Sequence, residues 1–502
     1  MNIKLAILAI ALAMVPQLRA QVLVDELTDS PIQAGANFGF AIDTDGDWLA
    51  VSSSFWDDQS HVPSPQIDIG SVNIYKQIAG NWVFYKQVLP EAPYQVIRSQ
   101  FGKGLSIADG VLVIGQANAS TDSTNRSGRI HIYQIDAGGH ENWGLVQIID
   151  PPQTQSNARF GFAVDNIDDI IIVGEHRYNN DGRVHVYQLD AKDSFWNHDN
   201  TLNPIPDCHI DPSRFGWSVA IDQSPNNEYA LIVGDPGSSS ITACPNGYLS
   251  FEVGSVHFFQ TTDGQWEALN IINNISAVPG DRFLDYARLG HSVDLDITTG
   301  YAIAGAPGQR IPFAIDGGFA GIARGQALIF ELDQDQQLWT IAHQYTPYAR
   351  SDPEDQFGAG VAIDTDFAFV TASTGEQLWS YGRHAGGGYN QWEIVENIDL
   401  TPSTSADGIA HLVIDSDRVL ISSPNNDSTG VNTRSGSVFQ LDANRFACPA
   451  DINRDGTLDS NDPMIYIDAY FQNDQAADWD SNGSLNYFDI SAFIIDYAVG
   501  CK

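Results

Sequence analysis

One unit of about sixty residues is written seven times along this chain. NFGFAIDTDGDWLAVSS begins at Asn37, QFGKGLSIADGVLVIGQ at Gln100, RFGFAVDNIDDIIIVGE at Arg159 and RFGWSVAIDQSPNNEYALIVGDP at Arg214. RLGHSVDLDITTGYAIAGAP from Arg288 and QFGAGVAIDTDFAFVTAS from Gln356 follow, and DGIAHLVIDSDRVLISSP from Asp407 is a seventh copy with Gly408-Ile409 in place of Phe-Gly. A unit this short cannot bury its own apolar face, so like units must stack against one another.

Each copy reads as two alternating apolar strands joined by a tight turn of Asp, Gly and Asn. A third strand follows, from Gly70, Ser127, Asp181, Val253, Arg324, Gln377 and Ser435. In six copies a fourth opens on tryptophan: Trp82, Trp143, Trp196, Trp266, Trp339 and Trp392. Four strands per unit make a propeller blade, so the expected fold is an all-β seven-bladed β-propeller over residues 21–445. The seventh copy stops after its third strand, and VLVDELTDSP from Val22 has the texture of the missing fourth. Residues 22–28 are therefore predicted to close the last blade, which removes the open sheet edges a ring must otherwise hide. The tryptophans, at one equivalent position per repeat, are predicted to be inter-blade core, and the recurring Phe-Gly to pack one blade closely on the next.

The first twenty residues carry Lys4, an apolar run from Leu5 to Val15 and a small residue, Ala20, at the expected cleavage point, the pattern of a secretory signal peptide. Export to an extracellular or cell-surface location is the expectation. Sixty-three acidic residues against 24 basic ones give a formal charge of −39, which repels nucleic acid and attracts divalent cations. No later segment is apolar enough to span a membrane.

After Cys448 the texture changes. DINRDGTLDSND places Asp451, Asn453, Asp455, Asp459 and Asp462 at positions 1, 3, 5, 9 and 12 of a calcium loop, with Gly456 at the sharp turn and the Thr457 carbonyl between. DWDSNGSLNYFD repeats the arrangement with Asp478, Asp480, Asn482, Asn486 and Asp489, Gly483 at the turn and the Ser484 carbonyl. Alternate oxygens around one turn converge on a hard cation, so two Ca2+ ions are expected in residues 446–502. Short apolar helices are predicted after each loop, from Pro463 and from Ile490. In an exported chain the four cysteines are expected to be paired. Three pairings exist on paper; the repeat map puts Cys208 and Cys244 in one repeat and Cys448 and Cys501 at the two ends of the tail, so those two pairs are expected.

The repeats resemble the FG-GAP repeats of integrin α-chain propellers and of many bacterial exported proteins, over residues 34–445, although the DxDxDG hairpin loops of the integrins have only a short counterpart here at Asp43-Thr44-Asp45-Gly46-Asp47. The tail, with loop-helix pairs that lack an entering helix, resembles dockerin modules framed by cysteines. These resemblances imply an extracellular protein or glycan ligand for the propeller and a cohesin-like partner for the tail. The expected function is non-catalytic binding or adhesion; the alternative is a polysaccharide-acting hydrolase or lyase that uses the propeller channel. Catalytic motifs of the common hydrolase, metalloprotease and nucleotide-binding types do not occur in a supporting context. The equivalent positions of His131, His185 and His257 point to a structural role in the repeat. Insertions between second and third strands, at 55–69, 236–253 and 307–323, are the expected contact loops.

Overall fold

The computed structural model describes residues 25–29, 32–59, 67–120, 124–192, 194–206, 209–210, 213–242, 248–250, 252–273, 286–315, 318–323, 325–333, 336–346, 356–365, 367–372, 377–383, 392–399, 411–415, 418–425, 434–442, 460–472, 477, 490–491, 493–494 and 497. Its described residues form a mostly-β, seven-bladed propeller followed by a short helix toward the C-terminus. Blade 1 shows the common plan: Phe38–Asp45, Trp48–Ser53, Ser71–Ile78 and Asn81–Val88 hydrogen-bond in sequence order as an antiparallel meander. Its first hairpin turns on Gly46 and Asp47, because Asp45 pairs with Trp48. The innermost strands of the seven blades begin at Phe38, Phe101, Val164, Ser218, Val293, Phe357 and Leu412. A register shift recurs at one place in the third strand of six blades, from Ile74/Tyr75 to Ser380/Tyr381. Such a bulge adds twist to the outer half of each sheet.

In the seventh blade Asp25–Leu27 is the outermost strand, with Asp25 opposite Gln440, Glu26 opposite Phe439 and Leu27 opposite Val438. Two residues on, the buried Asp29 carboxylate accepts from Asn73 Nδ2 (2.8 Å) and Ser53 Oγ (3.4 Å) of blade 1. One short segment thus joins the last blade to the first.

The cores lie between blades. Phe38, Phe101, Phe160, Phe215, Leu289 and Phe357 are fully buried. The backbone of each of five of these residues meets the glycine that opens the preceding blade's third strand, as Phe160 meets Gly128 and Phe38 meets Gly436. Tryptophans of the fourth strands reach into the preceding blade: Trp143 packs on Trp48 (5.4 Å between centroids), Trp339 stacks on Phe258 (4.9 Å) and Trp392 meets Tyr301 edge-on (5.4 Å). Trp82 donates from Nε1 to Gln440 Oε1 of blade 7 at 2.6 Å. Trp266 is half-buried, the least enclosed of the six.

Two insertions carry strands of their own. Ser239–Thr242 pairs with Tyr248–Ser250 and with His209–Ile210, and Arg310–Ile315 pairs with Gly318–Ala323. In the tail, the helix Asn461–Gln472 has Pro463 in its first turn. It packs Tyr466 and Ile467 against Ala477, Phe493 and Tyr497, with the Tyr466 and Phe493 rings stacked at 4.0 Å.

Candidate functional site

Most innermost strands are bonded to the next blade through a side chain. Asp43 Oδ2 accepts from the Ile107 N–H (2.7 Å), Asp165 from Ile221 (2.9 Å), Asp222 from Ile297 (2.9 Å) and Asp294 from Ile363 (2.8 Å). In blade 2 Ser106 takes this place, accepting from the Asn166 N–H and donating to Asp165 Oδ1 (3.0 Å). The ring of strands encloses a central channel of about 450 Å³ whose wall includes Asp43, Asp165 and Asp294. These carboxyls touch channel space, yet protein surrounds that space, and the loss of bulk water outweighs their N–H donors. Burial, then the charge of Asp165, pushes Asp43 up to about 7. Burial raises Asp165 to about 6, and burial together with the Asp165 and Asp222 charges raises Asp294 to about 8.

The other end of the channel is different. The residue after Phe-Gly or Leu-Gly differs between repeats: Lys103, Phe162, Trp217, His291 and Ala359 line the channel, and Phe40 meets Lys103 and His411. The Lys103 ammonium lies 4.1 Å from the Phe40 ring centroid and 4.3 Å from that of Phe162. Phe162 continues to His176 (4.1 Å) and Trp217 (4.7 Å), and Trp217 to His291 (5.9 Å). Burial, then repulsion from Arg159, pushes Lys103 down to about 7; burial pushes His291 down to about 4, and the protein around the channel lowers His411, whose surface opens into it, so both imidazoles are neutral at physiological pH. This collar sits where the first strand starts and the second ends, since Phe38 pairs with Ser53. The insertions between second and third strands leave from that same face.

Cations gather beside the collar. The Arg159 N–H donates to the Arg126 carbonyl (3.4 Å) and the Arg177 N–H to the Ala158 carbonyl (3.2 Å), so three arginines stand on adjoining backbone. Arg126 and Arg177 are exposed and Arg159 half-buried. Among the described residues no ion pair engages Lys103, Arg126, Arg159 or Arg177. The nearby Arg214 and Arg288 both pair with Glu252, at 3.2 and 3.1 Å.

No family model matches the chain, and no curated protein matches it. Among solved structures it is similar to a protein from Lactobacillus plantarum, at 15% identity and a TM-score of 0.45, over 76% of this chain and 89% of that one. It is also similar to Sqt1 of Saccharomyces cerevisiae, at 12% identity and a TM-score of 0.45, over 84% of this chain and 99% of that one.

Of the twelve residues expected to hold calcium, Asp462 alone is described: its carboxyl is fully buried in the first turn of Asn461–Gln472. Asp451, Asn453, Asp455, Thr457, Asp459, Asp478, Asp480, Asn482, Ser484, Asn486 and Asp489 lie outside the described residues, as do Cys208, Cys244, Cys448 and Cys501. In the short turn after blade 1's first strand, Asp43 and Asp45 accept backbone N–H groups of blade 2, Ile107 and Gly110. The three equivalent histidines are fully buried, each edge-on to its own blade's phenylalanine: His131 on Phe101, His185 on Phe160, His257 on Phe215. Their ring nitrogens meet Gln116, Glu175 and Ser255, so they serve packing. Sequence reasoning passed over the collar. Its signal was there in the one inward position whose residue type changes from copy to copy while its neighbours recur.

Membrane-spanning helices are absent among the described residues: none is long and apolar enough to cross.

Proposed function

We propose that this chain is an exported, non-catalytic binding protein of FG-GAP type, whose propeller takes an extracellular protein or glycan ligand on the face bearing the channel mouth. The observation that carries this reading is the collar: aromatic and neutral imidazole rings around an open mouth, flanked by cations that make no ion pair among the described residues, on the face from which the long insertions leave. A cavity of this size with a few convergent polar groups is the form a ligand site takes. The carboxyls deeper in the channel accept backbone N–H groups of the neighbouring blade, so holding the ring together accounts for them. The tail is proposed as a dockerin-like module that folds around two Ca2+ ions and docks the protein to a cohesin-like partner.

Pull-down from the extracellular fraction of the source cells tests the first part. Capture by the intact chain should be lost when the insertions at 55–69, 236–253 and 307–323 are shortened; unchanged capture would count against this face. Calorimetric calcium titration tests the second. The full chain should bind two ions more than a chain ending at 445, and equal binding would remove the tail's calcium role.

A further inference from the structure

The mouth over blades 2 to 4 holds charge of the wrong sign for its protein. A chain of formal charge −39 has only 24 lysines and arginines, and the many carboxylates around them are their natural partners. Arg126, Arg159, Arg177 and Lys103 nevertheless gather beside one aromatic collar without an ion pair among the described residues. Arg159 comes from the link into the innermost strand, while Arg126 and Arg177 come from the short second-to-third-strand connections of blades 2 and 3. Those connections lie in ring order between blade 1 and blade 4, whose insertions are longer in sequence. Like charges held this close repel one another, a cost that an anionic ligand would reverse.

Resting on the binding role proposed above, we propose that this cationic stretch of the channel mouth is the receptor for an acidic polysaccharide. Its carboxylate or sulfate groups pair with Arg126, Arg159 and Arg177, while a sugar ring stacks on Phe162 and Trp217 with its anionic group toward Lys103. Guanidinium groups match the planar, bidentate geometry of carboxylate and sulfate oxygens. The half-buried Phe162 and Trp217 rings, tilted at 47° with centroids 4.7 Å apart, leave apolar ring surface that the C–H face of a sugar can cover, a face that an acidic peptide lacks. His291 and His411 also line the mouth, neutral and able to hydrogen-bond hydroxyls, while His176 is buried and neutral against Phe162 and Trp217. Asp43, Asp165 and Asp294 lie farther down the channel and lose charge on acidification, so affinity should rise from pH 8 to pH 6 as Lys103 becomes fully charged.

The test is calorimetric binding of the full chain to short oligogalacturonides, their methyl esters, chondroitin sulfate and polyglutamate. Binding to at least one of the two acidic glycans is expected, about ten- to a hundredfold tighter than to the methyl esters and weakening with added salt. Galacturonide binding without chondroitin sulfate binding assigns the site to carboxylated sugars, and the reverse to sulfated ones. The exposed double substitution Arg126→Glu with Arg177→Glu should abolish the preference for acidic over esterified oligomers without lowering the thermal midpoint; Lys103→Met, which removes an enclosed charge and so keeps the fold, should lower it about tenfold. Failure of both acidic glycans to bind, equal affinity for the methyl esters, full retention of the preference in the Arg126→Glu, Arg177→Glu protein, or equal binding of polyglutamate would each overturn the proposal. Loop-dependent capture of a neutral ligand by the charge-reversed protein would keep the binding role while ending the acidic-glycan assignment.

Discussion

Two glycines of like backbone conformation separate the cost of a left-handed residue from the cost of a blade contact. Gly46 has φ of +56° with open space where a Cβ would stand, whereas Gly128 has φ of +90° and its Cβ would lie 2.0 Å from the Phe160 carbonyl oxygen of the next blade. Gly46→Ala should therefore cost about 1 kcal/mol, and Gly128→Ala roughly 3 kcal/mol or more because two backbones must part. Urea denaturation midpoints compare them directly. The channel carboxyls give a second residue-scale expectation. Asp43, Asp165 and Asp294 are held at about 7, 6 and 8 in the fold, above their unfolded values, so the folded protein keeps protons the unfolded chain has released. Their contribution is complete on the acid side, below about pH 4, and is lost as pH rises through 6 to 8. Lys103, pushed down to about 7, acts in the opposite sense above neutrality, so the informative quantity is a difference between proteins. Asp294→Asn, which cannot titrate, should lose most relative to the parent at pH 5 and least at pH 8.5, measured by urea denaturation at both; a difference independent of pH would refute the raised carboxyl.

At the scale of the strand, the buried fourth-strand tryptophans are pillars between blades, and neighbouring amides clamp the backbone of two of them. Asn270 bonds both the N–H and the carbonyl of Trp339 (3.1 and 2.9 Å), and Gln147 does the same for Trp196 (2.8 and 2.9 Å). Trp339→Ala should cost about 3–5 kcal/mol, as a large aromatic removed from a closed core does, whereas Val83→Ala on the exposed face of blade 1's outer strand should change stability by less than about 0.5 kcal/mol. Thermal or chemical unfolding distinguishes the two. These pillars, the buried phenylalanines and the hairpins were legible in the sequence because a repeat states its packing rules several times over. Whether blade 1's first hairpin turns on Asp45-Gly46 or on Gly46-Asp47 is not legible in the sequence, since both pairs are good turn formers and only pairing of Asp45 with Trp48 decides for the second. The collar was less legible for the opposite reason: Phe40, Lys103, Phe162, Trp217 and His291 come from five repeats and converge only when the ring closes. Nor could spacing reveal that Arg126, Arg159 and Arg177 share one backbone neighbourhood, as the contact runs between blades.

For the whole molecule the decisive joint is the one between its two ends. Every other blade is a continuous meander, but the seventh borrows Asp25–Leu27, so the ring is held shut by a strand from the opposite end of the propeller sequence. Three devices fasten it: the ladder to Ser437–Asp442, Leu27 in the core shared by Phe38, Trp82 and Val438, and Asp29 bonded into blade 1. Without the strand, the third strand of blade 7 becomes an exposed edge and the core between blades 7 and 1 opens to water at the same time. A protein beginning at Ile32 should therefore unfold at a markedly lower temperature and self-associate, read by differential scanning calorimetry and size-exclusion chromatography. A peptide of residues 21–31 added in trans should partly restore the midpoint by binding the folded ring alone. Leu27→Asp in the full chain separates the packing from the pairing, because it leaves the ladder's backbone groups intact while placing a carboxylate in the core. It should destabilise by several kcal/mol without the self-association, since the edge stays covered. If the shortened protein melted with the parent and stayed monomeric, closure would have to come from the inter-blade cores alone, and the ends would be incidental to the ring.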